Sequence, residues 1–190
     1  MAKKTAVSGE SLNKSNGPLA DAITRVSNSI SSYSRFPGAV RPGDSIGLTV
    51  VGSLKRLALL IEASLPDLSP VKHHVSISRG QGNLPRILYI AISRRAGVLS
   101  VEPSVTLCFS EDGQGFVVGM MYSKLSLKRN KQPVIRSGKK MAVTLSSARS
   151  RSNFDDLFVN PMECLVSDFD SRKFLDHISI SLKLLQEEYR

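Results

Sequence analysis

A polar loop with two glycines carries the side chains best suited to chemistry in this chain. The loop is Arg79-Gly80-Gln81-Gly82-Asn83, between the alternating run "VSIS" and the apolar run "ILYIAI". Glycine lets a backbone adopt positive φ angles and approach another molecule closely. Arginine and asparagine donate hydrogen bonds to phosphates and to base edges. This combination favours nucleic-acid recognition, with a plain glycine turn as the alternative.

The positive charge of the chain is concentrated in one segment. The formal net charge of +10 favours a polyanionic partner such as nucleic acid. Residues 124–151 hold no acidic residue and nine basic ones: Lys124, Lys128, Arg129, Lys131, Arg136, Lys139, Lys140, Arg149 and Arg151. Residues 155–190 instead hold eight carboxylates. We predict that the stretch from Lys128 to Lys140 binds a nucleic-acid backbone, with a solvated loop as the simpler alternative.

Motifs for catalysis are missing from the sequence. The glycine–lysine pair at 138–139 has no glycine five positions earlier, which excludes a P-loop. The two glycines of the polar loop lack the third glycine of a dinucleotide fingerprint and lead into a strand. No Asp and Glu-x-Lys pair of the kind used by metal-dependent nucleases lies in register with a predicted strand. We therefore predict no enzyme activity, no cofactor and no metal site.

The length of 190 residues predicts one domain over residues 18–190, preceded by a disordered polar tail at 1–17. Apolar runs are all shorter than the ~18 residues that a membrane-spanning helix needs. The N-terminus has no hydrophobic segment of the kind found in secretory signals. Cys108 and Cys164 are expected to be free thiols of a reducing compartment. We therefore expect a cytoplasmic protein with no membrane partner.

Apolar periodicity predicts a helix at each end of the domain and a second helix before the polar loop. The first helix carries apolar residues at steps of three and four: Leu19, Ile23, Val26, Ile30 and Tyr33. The second contains Leu54, Leu57, Ile61 and Leu65, and we expect it to end at Pro66. The last begins after a cap at Asp170 or Ser171 and buries Phe174, Ile178, Leu182, Leu185 and Tyr189.

Strands are predicted at residues 71–78, 86–93, 104–109 and 116–122, with further strands near 133–136, 141–145 and 162–167. Asp112-Gly113 lies between the third and fourth strands and is a strong hairpin signal. We therefore predict an α+β fold. Its mixed or antiparallel curved sheet would have about five to seven strands, with flanking helices that include the N-terminal and C-terminal ones.

The ordered elements of residues 72–122 resemble the N-terminal DNA-binding domain of McrB-like modification-dependent restriction proteins. The segment "VSISRGQGNLPRILYIAI" is similar to that family's strand, Gly-x-Gly-Asn loop and apolar strand with a central aromatic. The segment "SVTLCFSEDGQGFVVGM" is similar to the hairpin that follows. The resemblance implies a domain of an antiviral defence system that binds double-stranded DNA with a modified, methylated cytosine. It also implies that the domain flips this base into a pocket.

The same resemblance implies roles for individual residues. Tyr89 falls where the family places a tryptophan against the flipped base, and Leu107 falls at an apolar wall of the pocket. Gln81 falls where a loop side chain fills the gap that the base leaves. Arg79 and Asn83 would then reach phosphates or base edges. The family's larger proteins imply an AAA+ GTPase motor and a nuclease, fused to such a domain or acting as separate subunits.

Three other interpretations of the composition stay open. The chain could be a basic RNA-binding or single-stranded DNA-binding protein that flips no base. It could be a protein-interaction module whose charge serves solubility, or a nuclease whose site the sequence does not reveal. A preference for duplex over single strands separates the first of these from the modified-DNA reader. Partner binding that does not depend on salt supports the second, and metal-dependent cleavage supports the third.

Overall fold

Across the residues that the structure describes, one antiparallel sheet and three α-helices form the fold. The computed structural model describes residues 17–80, 82–96, 102–122 and 157–189. In chain order these contain α1 (Pro18–Ser34), α2 (Ser45–Leu68), β1 (His74–Ile77), β2 (Tyr89–Ser93), β3 (Ser104–Phe109), β4 (Gly115–Tyr122), β5 (Leu157–Leu165), a 3₁₀ turn (Val166–Asp168) and α3 (Ser171–Glu188). The predicted α+β class and its flanking N-terminal and C-terminal helices are confirmed.

The sheet is an open antiparallel meander. Its spatial order is β1-β2-β3-β4-β5, so each strand pairs with its neighbour in sequence and β1 and β5 form the edges. The tight connection between β3 and β4 is the predicted hairpin, and Gly113 adopts a φ of +74° in it. The hydroxyl of Ser31 on α1 donates to the carbonyl of Asp112 over 2.6 Å, which joins this turn to the helical layer.

The helices cover one face of the sheet. Ile23 of α1, Leu54 of α2 and Ile178 of α3 are fully or almost fully buried in one cluster with inward residues of the central strands, such as Ile90 and Val118. Burying an aliphatic side chain of this size contributes about 1.5 to 3 kcal/mol. The periodicity that predicted the helices therefore identified the residues that hold them on the sheet.

Aromatic rings close the core beside α3. Phe116 of β4 lies 5.8 Å from Phe174 of α3 and 6.0 Å from Phe169, measured between ring centroids and in edge-to-face geometry. Phe109 of β3 lies 5.9 Å from Phe116 on its other side. The predicted cap of α3 is confirmed at Asp170, whose carboxylate accepts from the backbone N–H groups of Arg172 and Lys173.

The predicted end of α2 at Pro66 is wrong, because the helix continues to Leu68. Proline removes one backbone donor and disfavours the helical conformation of the residue before it. A proline in the last turn of a helix costs the helix only one hydrogen bond. Pro66 thus lies inside the helix, and α2 ends at Ser69, whose N–H still donates to the carbonyl of Leu65.

The first two strands begin three residues later than predicted. Residues before β1 bond locally, since the N–H of Val71 donates to the hydroxyl of Ser69 over 3.2 Å. Before β2, the N–H of Leu84 donates to the carbonyl of Val40, in the connection between α1 and α2, over 2.8 Å. Such contacts use backbone groups that strand pairing would otherwise use. Residues 71–73 and 86–88 lie outside the strands.

Some of the predicted elements fall outside the described residues. They are the strands near 133–136 and 141–145 and all of the N-terminal tail except Gly17. The strand expected near 162–167 is the second half of β5, which already begins at Leu157 and ends at Leu165.

The sheet has two distinct ends. One end contains the connection of β1 to β2, with the polar loop, and also the β3–β4 hairpin. We call it the loop end. At the opposite end, named the connection end, the chain passes from β2 to β3 and from Tyr122 of β4 to Leu157 of β5. The basic residues 124–151 belong to this last connection.

Replacing Gly113 with alanine is expected to lower the free energy of unfolding by about 2 kcal/mol or more. Its φ of +74° disfavours a side chain, and a Cβ would lie 2.5 Å from the carbonyl oxygen of Ser27. Gly52 of α2 is the control, since a Cβ there meets nothing within 4 Å and alanine should stabilise the helix by up to about 1 kcal/mol. Urea denaturation measures both variants. Equal effects would contradict the assigned turn geometry.

Candidate nucleic-acid interface

The polar loop depends on its two glycines for its backbone shape. Gly80 has a φ of +68° and Gly82 a φ of +96°, both in the left-handed region. A Cβ on Gly80 would lie 1.8 Å from the carbonyl oxygen of Asn83, so the chain closes tightly on itself here. Arg79 and Asn83 are exposed at the two ends of this turn, while Gln81 lies outside the described residues.

A cavity of about 580 Å³ lies next to this loop. We call it the loop cavity. Its walls come from the end of α1, the α1–α2 connection, the segment after the polar loop and the β3–β4 hairpin, and they include Tyr33, Phe36, Asn83, Arg86 and Glu111. Its volume lies within the range typical of ligand pockets. Three segments that are distant in sequence, residues 33–39, residues 83–86 and Glu111, therefore converge on one site.

Hydrogen bonds to one buried residue hold these walls together. Leu84 is 5% exposed, and its N–H donates to the carbonyl of Val40 over 2.8 Å. The hydroxyl of Tyr33 donates to the carbonyl of Leu84 over 2.9 Å. Both backbone groups of Leu84 are thus paired, one with α1 and one with the connection between α1 and α2. This fixes Asn83 on one side of the cavity relative to Phe36 on the other.

The cavity combines an aromatic surface with groups of both charges. Phe36 is 47% exposed, so part of its ring is open to a ligand. Burial raises the pKa of the Tyr33 phenol, with the guanidinium of Arg86 opposing this and the carboxylate of Glu111 adding to it. The phenol therefore stays protonated and keeps donating to Leu84. A planar base could stack on Phe36 while Asn83, Arg86 and Glu111 offer donors and acceptors to its edge.

The structure does not bring Tyr89 and Leu107 together. Tyr89 pairs with Cys108, whereas Leu107 pairs with Ile90, so the two side chains lie on opposite faces of the sheet. Leu107 is 3% exposed and packs in the core beneath the helices. Tyr89 is half-buried in a smaller cluster on the other face, with Cys108, Val117 and Phe158. These two residues cannot wall a single pocket.

The basic residues predicted to hold the backbone lie outside the described residues: Lys128, Arg129, Lys131, Arg136, Lys139 and Lys140. Their segment leaves the sheet at Tyr122 and returns at Leu157, at the connection end. The polar loop is at the loop end. Strand β3 has six residues between these ends, which corresponds to about 20 Å. The two predicted parts of the interface are therefore anchored a strand length apart.

The other walls of the loop cavity were not predicted from the sequence. Phe36 lies between two turn signals in "RFPGAVRPGD", and a large aromatic in an obvious surface loop was the available indication. Arg86 follows the polar loop by three residues. Glu111 lies in the β3–β4 hairpin, and only the pairing of β2 with β3 brings it near the polar loop.

Comparison with known proteins adds no assignment: no family model, curated protein or solved structure matches the chain. Across the described ranges, none of the helices has the length and apolar character needed to cross a membrane. The described residues also contain no group of three or more His, Cys, Asp or Glu side chains placed to hold a metal ion.

Replacing Gly80 with alanine should loosen the loop cavity, because the added Cβ displaces the carbonyl of Asn83 next to Leu84. We expect the free energy of unfolding to fall by about 2 kcal/mol and the amide of Leu84 to exchange faster with solvent. Gly82→Ala is the matched control, since its φ is also positive but a Cβ there meets nothing within 4 Å. Hydrogen exchange followed by NMR measures both. Identical protection of Leu84 in the two variants would contradict the close packing at Gly80.

Proposed function

We propose that this chain is a non-catalytic DNA-binding module that reads a modified cytosine in double-stranded DNA by taking the flipped base into the loop cavity. The observation that carries the proposal is the meeting of an exposed aromatic ring, Phe36, with Asn83, Arg86 and Glu111 beside a tight glycine loop. The resemblance of residues 72–122 to McrB-like domains supports the class of ligand.

The side chains of the loop cavity suit a cytosine. A carboxylate accepts from the N4 amino group of cytosine, and Glu111 supplies one. The amide of Asn83 can donate to the ring nitrogen or carbonyl of the base. Pro37 and Ala39 add small apolar walls that could contact a methyl group. Stacking on an aromatic side chain contributes about 1 to 3 kcal/mol per base, which offsets much of the cost of flipping.

The charges favour a base over a phosphate in this cavity. Glu111 repels an anion, and Arg86 is the cation among the lining residues. Attraction for the phosphate backbone comes instead from the excess of basic residues in the chain, which has a net charge of +10. In this proposal Lys128 to Lys140 and Arg79 hold the backbone, and the loop cavity holds the base.

Other parts of the proposal rest on the resemblance alone. They are an antiviral restriction system, and an AAA+ GTPase motor and a nuclease that are fused to the module or bind it. A cytoplasmic location rests instead on the two thiols of the sequence. Within this proposal the pocket differs from the one that the resemblance implies. Phe36 takes the stacking role in place of Tyr89, because Tyr89 and Leu107 lie on opposite faces of the sheet.

A second candidate function is binding of single-stranded RNA or DNA without flipping. The 47% exposure of Phe36 favours it, because an unpaired base can stack on an open aromatic side chain at no unstacking cost. Such binding would also draw on the basic segment and weaken with salt.

Fluorescence anisotropy with matched duplexes tests the proposal. Unmodified, 5-methylcytosine and 5-hydroxymethylcytosine duplexes and the corresponding single strands are compared at two salt concentrations. We expect one modified duplex to bind most tightly and Phe36→Ala to weaken that complex about tenfold, through loss of the stacking surface. Leu59→Ala is the control, since Leu59 is 64% exposed on α2 and does not line the loop cavity. Its affinity should match that of the original chain.

Other outcomes of the titration separate the alternatives. If Tyr89→Ala abolishes the preference for modified DNA and Phe36→Ala does not, the base is read at the sheet face and the loop cavity is rejected. Equal binding to all duplexes, with a steep loss in salt, leaves only a basic surface. Tighter binding to the single strands than to any duplex supports the second candidate.

A further inference from the structure

A groove lies along strand β5, at one edge of the sheet. It has a volume of about 460 Å³. One wall is the last part of β5, residues 162–165, and the other is the turn into α3, with Asp168, Phe169, Asp170 and Lys173. The proposed function makes no use of these residues. We call this space the edge groove.

The β5 wall carries backbone groups that point away from the sheet. The N–H of Val166 donates to the carbonyl of Gln114 over 2.9 Å, so it points towards β4. Along an extended chain, the backbone groups of successive residues point alternately to the two edges. Both backbone groups of Glu163 and the N–H of Leu165 therefore point away from β4. Among the described residues, none of these three groups has a hydrogen-bond partner.

A bulge limits this stretch to the last residues of β5. The register between β4 and β5 shifts after Val118, and Asn160 has a φ of +49° at this point. Pro161 follows and has no N–H to offer to a further strand. An added strand can therefore pair only with residues 162–165, which are the residues that line the edge groove.

The edge groove combines apolar side chains with an excess of carboxylates. Leu165 is 56% exposed, while Met162 and Phe169 are partly buried against the core. Glu163 is exposed, and within the described part of the chain no ion pair engages it. The charged lining residues are three carboxylates and one ammonium group: Glu163, Asp168, Asp170 and Lys173.

These charges decide which kind of molecule can pair with β5. Burial, and then the carboxylates of Asp168 and Asp170, raise the pKa of the Cys164 thiol, as expected in a negative environment. A nucleic-acid backbone is repelled by such an edge. Antiparallel pairing with the same edge of a second copy sets its carboxylates against one another, which destabilises the pair. A cationic strand meets neither obstacle.

We propose that the edge groove binds an extended cationic segment of a partner protein, which adds to the sheet beside β5 as one more strand. The segment hydrogen-bonds to both backbone groups of Glu163 and to the N–H of Leu165, in the mode by which peptides extend a sheet edge. Its lysine or arginine side chains face Glu163, and apolar side chains on its other side contact Met162 and Phe169. This surface binds protein and so goes beyond the proposed function.

NMR titration of the full chain with a short peptide tests the surface. The probe is the hexapeptide Lys-Val-Lys-Val-Lys-Val, whose lysines and valines lie on opposite sides of a strand. We expect a saturable titration at low salt, in which the amides of Glu163 and Leu165 shift and exchange more slowly with solvent. In Glu163→Lys the affinity should fall about fivefold, because an attractive contact becomes repulsive. Glu187→Lys is the matched control, since Glu187 is exposed on α3 outside the edge groove, and its affinity should be unchanged.

Two further peptides separate strand pairing from charge. A peptide with glutamate in place of lysine should not bind, and methylation of the lysine backbone nitrogens should abolish the protection of the two amides. Equal binding of the methylated peptide, or no saturation with the original one, would overturn the proposal.

The free chain distinguishes other occupants of the edge. Protection of the Glu163 and Leu165 amides at every chain concentration would place a segment of the chain itself beside β5. Protection that rises with chain concentration would place a second copy there. Either result rejects the cationic partner, and neither depends on base recognition in the loop cavity.

Discussion

The register of the three central strands fixes which side chains face the helices and which face the opposite side of the sheet. Ile90 pairs with Leu107 and Leu107 with Val118, and all three face the helices in one core. Since side chains alternate between faces, Tyr89, Cys108 and Val117 must point to the opposite side. A shift of one residue would exchange the two sets and expose the core. Burial of the aliphatic face therefore fixes the position of each polar and aromatic side chain along these strands.

Two cavities form where the sheet stops pairing. At the loop end, Leu84 bonds with Val40 and Tyr33, and the space beside it is the loop cavity. At the connection end, Ser69 bonds with Val71, His73 and Gln186 before β1 begins, and a smaller cavity lies there against α3. In each case a polar network satisfies backbone groups that strand pairing leaves free. The network also brings helical and loop residues together.

The two ends of the sheet separate two parts of the proposed recognition. At the loop end, an aromatic ring with a nearby carboxylate suits a neutral base. The basic segment, residues 124–151, is anchored at the connection end, a strand length away. In the proposed arrangement, variants in the loop cavity and variants in the basic segment therefore measure the two contributions separately.

Local pattern in the sequence was enough to predict the helices, the hairpin and the glycine loop. Apolar spacing marked the buried faces of α1, α2 and α3, and Asp112-Gly113 marked the turn, because these elements depend on neighbouring residues. The end of α2 and the start of β1 depended on local hydrogen bonds that apolar spacing does not record. The start of β2 and the placement of Tyr89 against Leu107 depended on tertiary contacts. So did the loop cavity. Phe36, Asn83 and Glu111 are brought together only when distant segments pack on one core, and no local periodicity records that packing.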